Sequence, residues 1–181
     1  TQSGVYYNIF TLPTLGQAMA PLLTLYPSLG SHLTRAQEFA RKARGRAALT
    51  EHEIGALFLY TVQSVLYRQL NATLRDPDRT KARPWLLYLR LFLSATRKLS
   101  ASAPPARSLW RGVAKDLRRD YGVGRSVTWW GVSSCTPSLP VARSFLGSSG
   151  GRTLFEITPR SAVSSSGGRT LFEITPRSAV S

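Results

Sequence analysis

Apolar side chains recur at three- and four-residue steps from Thr50 to about Arg75, and this spacing predicts one long amphipathic helix. Thr50 with Glu53 three residues later has the form of a capping box, in which each residue satisfies a backbone N–H of the other. Asp76 and Pro77 end the helix, because the residue before a proline avoids the helical conformation. The helix therefore has both a start signal and a stop signal in the sequence.

Arg83 and Pro84 open a second helix, since proline is tolerated in a first helical turn. Its sequence is apolar nearly all round, which predicts a helix buried against its neighbour. Residues 48–100 are therefore expected to form a helical lobe. Residues 1–47 are interpreted as a peripheral N-terminal arm, because prolines divide residues 1–30 into short pieces with at most one short helix. Residues 34–46 fit a basic amphipathic helix.

A linker of Ser, Ala and Pro at residues 100–106 separates these helices from a region of different character. β-Branched and aromatic residues beyond it predict short strands at 108–113, 126–132 and 153–158, and residues 139–146 favour a short helix. Residues 126–136 are predicted to form a buried strand that ends in small hydroxyl residues. These residues are expected to contact a ligand. Residues 107–164 are therefore the strand-rich part of the domain. Helices followed by strands are typical of an α+β domain.

The last 34 residues are two identical copies of one segment, at 148–164 and 165–181. A solenoid needs about three or more copies and has atypical end repeats. The pair is therefore interpreted as a recent duplication, an assembly fault or a truncated gene model. The strands at 153–158 and 170–175 have equal claims on one position in the sheet, so we expect the second copy to be an added edge strand or a loosely packed tail.

The charge balance narrows the possible partners. Twenty-four Lys and Arg against nine Asp and Glu give a net charge of +15. Arginine dominates, and its guanidinium favours flat, bidentate partners such as phosphates and carboxylates. An anionic ligand is expected, and nucleic acid, a nucleotide cofactor and an acidic protein all remain open. For the surface arginines, an arginine-rich proteome is the alternative explanation.

Cysteine content and hydropathy exclude several other classes of site. The single cysteine, Cys135, rules out an internal disulfide and makes a thiolate zinc site implausible, so no metal is expected. No secretory signal is evident, and Arg90 interrupts the longest apolar run, so a soluble chain without a membrane span is expected. The cellular compartment stays open.

Three motifs stand in order in the second half of the chain: Leu-Trp-Arg-Gly-Val at 109–113, Thr-Trp-Trp-Gly-Val-Ser-Ser-Cys-Thr at 128–136, and Thr-Leu-Phe-Glu-Ile at 153–157. With helical segments at 49–54, 59–61 and 67–75, they resemble the arginine-specific mono-ADP-ribosyltransferases, whose site has an arginine, a Ser-Thr-Ser strand and a Glu-x-Glu pair. The resemblance covers about residues 48–164. It implies an NAD-binding core in which a helical lobe packs on a mainly antiparallel sheet, here incomplete at the C-terminus.

The resemblance also implies roles for four residues. Arg111 would hold the pyrophosphate and nicotinamide ribose of NAD, a task that suits a permanently charged, forked donor. Gly112 would let its backbone approach the nicotinamide carboxamide. Ser134 would support the ribose and position the catalytic carboxylate, and Thr136 would brace the strand. Cys135 replaces a hydroxyl residue of the family, and it would lie on the strand face opposite Ser134 and Thr136.

The Glu-x-Glu part of the family pattern is missing. Transfer to arginine needs one carboxylate that stabilises the oxocarbenium-like centre and a second that orients or deprotonates the acceptor. The only Glu-x-Glu pair, Glu51 and Glu53, is explained by the capping box. Glu156 and its copy Glu173 are single and stand on the wrong strand, so no catalytic glutamate is found.

The resemblance implies NAD-dependent transfer of ADP-ribose to protein arginine with release of nicotinamide, with NADP as a possible substitute for NAD. For this chain, which reads as a truncated or inactive version, weak NAD binding and little transfer are expected. Two alternatives stay open: a basic nucleic-acid-binding module, and a non-catalytic pseudoenzyme that binds NAD or a protein. A Cys135 nucleophile is disfavoured because His32 and His52 fall in helical or peripheral segments.

Overall fold

The computed structural model describes residues 11–43, 45, 48–102, 108–122, 124, 126–159 and 172–178. These residues form six α-helices, one 3₁₀ helix and three β-strands, which confirms the predicted α+β class. The chain divides into two compact units, Thr1–Ala103 and Pro104–Ser181. The division lies within the linker expected at residues 100–106. Whether a helical lobe packs on an NAD-binding sheet stays a prediction.

The first unit is helical. Its elements are α1 (Leu15–Leu25), α2 (Leu29–Lys42), α3 (Glu51–Thr61), α4 (Val65–Arg75), a 3₁₀ helix (Arg79–Trp85) and α5 (Leu86–Ser102). Each α-helix buries at least one large apolar side chain completely, and together these form one core: Met19, Leu29, Leu59, Leu70 and Leu91. Among the residues that the structure describes, no helix is long and apolar enough to cross a membrane.

Helix α1 is part of this core. Its capping box joins Thr14 and Gln17: Thr14 Oγ1 accepts the Gln17 N–H at 3.2 Å, and the Thr14 N–H donates to Gln17 Oε1 at 2.8 Å. Leu15, Met19 and Leu22 are buried along one face. The interpretation of residues 1–47 as a peripheral arm is therefore wrong for α1 and α2. Prolines suggested the arm, yet Pro21 lies inside α1.

The predicted long helix is two helices, α3 and α4. The backbone of Val62 is extended, and Ser64 caps α4 by accepting the Leu66 N–H on its hydroxyl at 3.2 Å. A serine hydroxyl satisfies a free helix donor, so it favours a new helix start over continuation. The predicted capping box at Thr50 and the predicted end before Asp76 are both confirmed.

Glu53 joins the start of α3 to α5. Its carboxylate accepts hydrogen bonds from Ser94 Oγ at 2.7 Å and Lys98 Nζ at 2.8 Å, besides the Thr50 N–H at 2.8 Å. Burial opposes ionisation of this carboxyl, but the hydrogen bonds from Lys98, Ser94 and Thr50 outweigh it and lower the pKa of Glu53 to about 2. Glu53 therefore has a structural role, as its place in a capping box predicts.

Helix α5 is buried on one side only. It starts at Leu86, after the 3₁₀ helix that contains Pro84, and not at Pro84 itself. Tyr88 is fully buried and donates its hydroxyl to the carbonyl oxygen of Ala56 at 2.9 Å. Leu86 and Leu93 are more than half exposed. The prediction that this helix is buried against its neighbour is confirmed on the side of Tyr88, which bonds to α3, while the opposite side is exposed.

The second unit holds the sheet. Its elements are β1 (Leu109–Val113), α6 (Leu139–Ser144), β2 (Thr153–Pro159) and β3 (Phe172–Ser178), and the strands are antiparallel in the order β1-β2-β3. Arg111 of β1 lies opposite Phe155 of β2. The predicted strands at 108–113 and 153–158 and the predicted helix at 139–146 are confirmed.

The two copies of the repeat form neighbouring strands. The first supplies β2, in which Leu154, Phe155 and Ile157 are buried. The second supplies β3, which pairs with β2 at the end of the described sheet. Of the two alternatives expected from the sequence, the structure has the added edge strand.

Residues 126–136 are not the predicted buried strand. They are irregular, and a single isolated bridge between Thr136 and Trp110 is their pairing with the sheet. Val127 and Trp130 are exposed, at 42% and 60%. Aromatic and β-branched residues are common in strands because they pack well on a sheet, so their presence alone does not make one. Here these residues form an irregular segment beside β1.

Candidate functional site

The structure brings Arg111 and Ser134 together. Arg111 is the central residue of β1, and its Nη1 donates a hydrogen bond to the carbonyl oxygen of Ser134 at 2.9 Å. Its Cζ atom lies 5.9 Å from the centre of the Trp129 ring, a distance that allows cation–π attraction. The guanidinium is therefore held at two points by the irregular segment that the sequence singles out.

A backbone pairing places this segment. The Trp110 N–H donates to the Thr136 carbonyl at 2.7 Å, and the Thr136 N–H donates to the Trp110 carbonyl at 2.9 Å. Trp110 also pairs with Glu156 of β2, so Thr136 must lie on the other edge of β1. The Thr136 hydroxyl accepts the Ser138 N–H at 3.1 Å, at the start of α6. Thr136 thus braces the chain through its backbone and its hydroxyl.

An aromatic cluster holds the same segment on the face of the sheet where Arg111 lies. The Trp129 Nε1–H donates to the Tyr121 hydroxyl at 2.7 Å, and both rings contact Phe155, at centroid distances of 4.8 Å for Tyr121 and 5.9 Å for Trp129. Phe155 is 1% exposed and stands opposite Arg111 in the register. Burial of these rings orders a segment that has little strand pairing of its own.

Gly112 has a packing reason to be glycine. A Cβ atom at this position would collide with the carbonyl oxygen of Ala142 in α6 and would also approach Leu146 Cδ2 at 3.3 Å. The missing side chain therefore lets α6 lie directly against β1. Because successive residues of a strand face opposite sides, this contact is on the face away from Arg111. The role of Gly112 in binding nicotinamide stays a prediction.

Cys135 lies close to Arg111 but is a poor nucleophile. Its Sγ donates to the Ser133 carbonyl at 3.6 Å. Burial raises the pKa of the Cys135 thiol, and the charge of Arg111 opposes that rise only in part. A thiol, and not a thiolate, is therefore the main form at neutral pH, which disfavours Cys135 as a nucleophile.

Glu156 does not share the face of Arg111. It stands opposite Trp110, one position along from the Arg111–Phe155 pair, so its side chain is directed to the other side of the sheet. Its carboxylate accepts a long hydrogen bond of 3.5 Å from Ser108 Oγ. This geometry agrees with the expectation that Glu156 is not the missing catalytic carboxylate. The side chain of its copy, Glu173, lies outside the described residues.

Open depressions in the described part of the helical unit include one of about 270 Å³ and one of about 380 Å³. The first is lined by residues that include Arg41, Glu51 and His52, and the second by residues that include Asp76 and Lys81. Neither contains Arg111 or Ser134. Within the described part of the chain, no group of three or more His, Cys, Asp or Glu side chains is placed to hold a metal ion.

The sequence did not point to Tyr121 as part of the site, because Tyr121 lies outside the three motifs. Its signal would have been an aromatic residue beside Gly122, at the turn into a segment rich in tryptophan.

No protein-family model, curated protein or solved structure matches this chain. A functional proposal therefore rests on the contacts of Arg111 with Ser134 and Trp129.

Proposed function

We propose that the strand unit binds NAD, or NADP, through Arg111, and that its chemistry is that of the arginine-specific ADP-ribosyltransferases which the sequence resembles. One observation carries this proposal. Arg111 and Ser134, which the resemblance assigns to one NAD site, stand 23 positions apart in the chain and are joined by a hydrogen bond. A chance likeness of motifs would not require them to meet.

The guanidinium can bind a phosphate without leaving its present position. Arginine has five N–H donors in a planar fork, and the bond to the Ser134 carbonyl uses one Nη1–H. The remaining donors match the oxygens of a pyrophosphate, and the Trp129 ring limits how far the guanidinium can turn. A held arginine loses less conformational entropy on binding than a free one.

Transfer needs a carboxylate beside the ribose, and Glu156 is on the opposite face of the sheet. For the 181-residue polypeptide we therefore propose NAD binding with little or no ADP-ribose transfer to a protein arginine. This version is a pseudoenzyme that retains the cofactor site.

Titration of the full chain with NAD, followed by tryptophan fluorescence and calorimetry, tests the binding site. We expect Arg111→Ala to weaken NAD binding about 10- to 100-fold, because hydrogen bonds to charged groups contribute roughly 1.5–3 kcal/mol each. Arg143→Ala is the matched control, since Arg143 is an exposed arginine on α6 and its removal changes the net charge equally. Equal affinities in the two variants, or no NAD binding by the unaltered chain, would contradict the proposal.

A transferase assay with labelled NAD and an arginine acceptor tests the chemistry. We expect label incorporation no higher than in a reaction without protein. Strong labelling that is lost in both Arg111→Ala and Ser134→Ala would show that another carboxylate acts in transfer.

A basic nucleic-acid-binding module is the second candidate, favoured by the +15 charge and by exposed Arg35, Arg41 and Lys42 on α2. Binding of an oligonucleotide that falls steeply with salt, without competition by NAD, would support it. If Arg111→Ala leaves that affinity unchanged, oligonucleotide binding does not use the NAD site.

A further inference from the structure

The pairing of β2 with β3 is symmetric. Ile157 lies opposite Ile174, and these two residues occupy the same position of the repeat. On either side the partners exchange: Glu156 lies opposite Thr175, and Thr158 lies opposite Glu173. The segment Phe-Glu-Ile-Thr-Pro therefore pairs antiparallel with an identical copy of itself, about a local twofold axis through the two isoleucines.

A segment that is its own antiparallel partner can pair between chains as well as within one. In a twofold interface residue i contacts residue j and residue j contacts residue i, which is the relation seen here. Every copy of the chain carries both segments. The β2 of one copy consequently offers the β3 of a second copy the same register and the same neighbours that its own β3 has.

We propose that two copies of this chain form a dimer by exchanging β3, so that each β2 pairs with the β3 of the other copy. The exchange replaces the backbone hydrogen bonds within one chain by identical ones between two chains. The monomer and the dimer therefore have the same strand pairing. The twelve residues 160–171 that join the strands favour the closed monomer, because a short tether gives an effective concentration of about millimolar. The dimer therefore increases with protein concentration and is trapped by any link between the exchanged strands.

Cysteines at paired positions test the exchange in the full chain. Residues 158 and 173 are opposite each other, and directly opposed residues in antiparallel strands have Cα atoms about 4.5–5.5 Å apart, within disulfide range. One chain carries Thr158→Cys and a second carries Glu173→Cys, each with Cys135→Ser. The two are mixed at about millimolar concentration and oxidised, and their masses are measured without reductant.

We expect a disulfide-linked product of one chain of each kind, with a mass of twice 19.9 kDa. The control replaces Glu173→Cys by Arg177→Cys, which is on the same strand but opposite Leu154. Equal yields from the paired and control mixtures would overturn the proposal. A linked product from Glu173→Cys chains alone in equal yield would also overturn it, because residue 173 would then be linked without a cysteine at its partner position, 158.

Deletion of residues 160–171 gives a second readout that needs no cysteine. Pro159 is then bonded directly to Phe172, and the chain cannot turn back to pair β3 with its own β2. We expect the molar mass by light scattering to be twice that of the shortened chain at concentrations where the unaltered chain, of 19.9 kDa, is monomeric. A deletion variant that stays folded and monomeric would overturn the exchange.

Discussion

The two copies of the repeat have the same sequence and occupy different positions in the sheet. The first copy forms β2, which pairs with β1 on one side and β3 on the other, whereas the second forms β3, which pairs with β2. The first copy also buries Thr153, Leu154 and Phe155. Residue type cannot explain why the first copy is the one that pairs with β1, because the two copies are identical. The explanation must be their position in the chain.

Loop closure supplies a physical reason. The first copy reaches β1 through residues 145–152 after α6, whereas the second would need residues 145–169 to reach the same place. Each doubling of a flexible loop costs only about 0.6 kcal/mol, so the longer loop is disfavoured by about 1 kcal/mol. This preference is small, and identical substitutions in the two copies therefore measure how completely the first copy keeps its position.

The largest difference is expected between Phe155→Ala and Phe172→Ala. Phe155 is 1% exposed and contacts the rings of Tyr121 and Trp129, so its loss leaves a cavity worth about 3–5 kcal/mol. We expect a much smaller loss at 172, which begins an edge strand. Urea unfolding followed by tryptophan fluorescence measures both, since Trp110 and Trp129 lie in this unit. Equal losses would show that the copies exchange positions.

Thr153→Val should have the next largest effect. The Thr153 hydroxyl accepts the Leu117 N–H at 2.9 Å and donates to the Lys115 carbonyl at 2.8 Å, and valine leaves both groups without this partner. We expect a loss of about 1–3 kcal/mol in the free energy of unfolding. Thr170→Val is the matched variant, and the bounds of β3 do not include Thr170. A thermal unfolding midpoint that falls equally in both would contradict the difference.

Gly150→Ala tests the turn within the first copy that leads into β2. The φ angle of Gly150 is +84°, and a Cβ atom there would meet nothing within 4 Å, so alanine changes only the backbone energy. We expect a loss of about 1–2 kcal/mol by differential scanning calorimetry. Its equivalent, Gly167, lies outside the described residues. Gly167→Ala should have a smaller effect if the first copy alone leads into the strand beside β1.

The smallest difference is expected for Glu156→Gln against Glu173→Gln. The hydrogen bond from Ser108 to Glu156 is 3.5 Å long and half-buried, so its loss should change the free energy of unfolding by less than about 1 kcal/mol. Neither variant should alter NAD affinity, because Glu156 lies on the face opposite Arg111. A drop in NAD affinity in Glu156→Gln alone would contradict that placement and would bring this carboxylate into the site.

Local signals predicted much of the helical unit. The capping box at Thr50 and the stop at Asp76 act within one helical turn, and both are present. The break at Ser64 was missed because apolar spacing continues across it, and only the serine cap marks it. The buried face of α1 was missed because the three prolines near it suggested an irregular arm, although a proline near a helix does not exclude packing on either side.

The site was predicted only in part. Strand β1 was predicted and the order of the motifs singled out Arg111 and Ser134, but their hydrogen bond depends on an irregular segment that was expected to be a strand. The contacts of Trp129 with Phe155 and of Arg111 with Ser134 join residues distant in sequence. No periodicity encodes such contacts, because they depend on how the sheet and the segment beside it pack.

By itself, the sequence determined the α+β class, the start of α3, the end of α4, two strands and the identity of the two repeats, since these depend on residues close together in the chain. Tertiary structure decided which copy lies beside β1, on which face Arg111 stands, and why position 112 is glycine. Strand neighbours, sheet faces and the approach of α6 to β1 are relations between distant segments. They are set by packing and loop closure, which a local pattern does not contain.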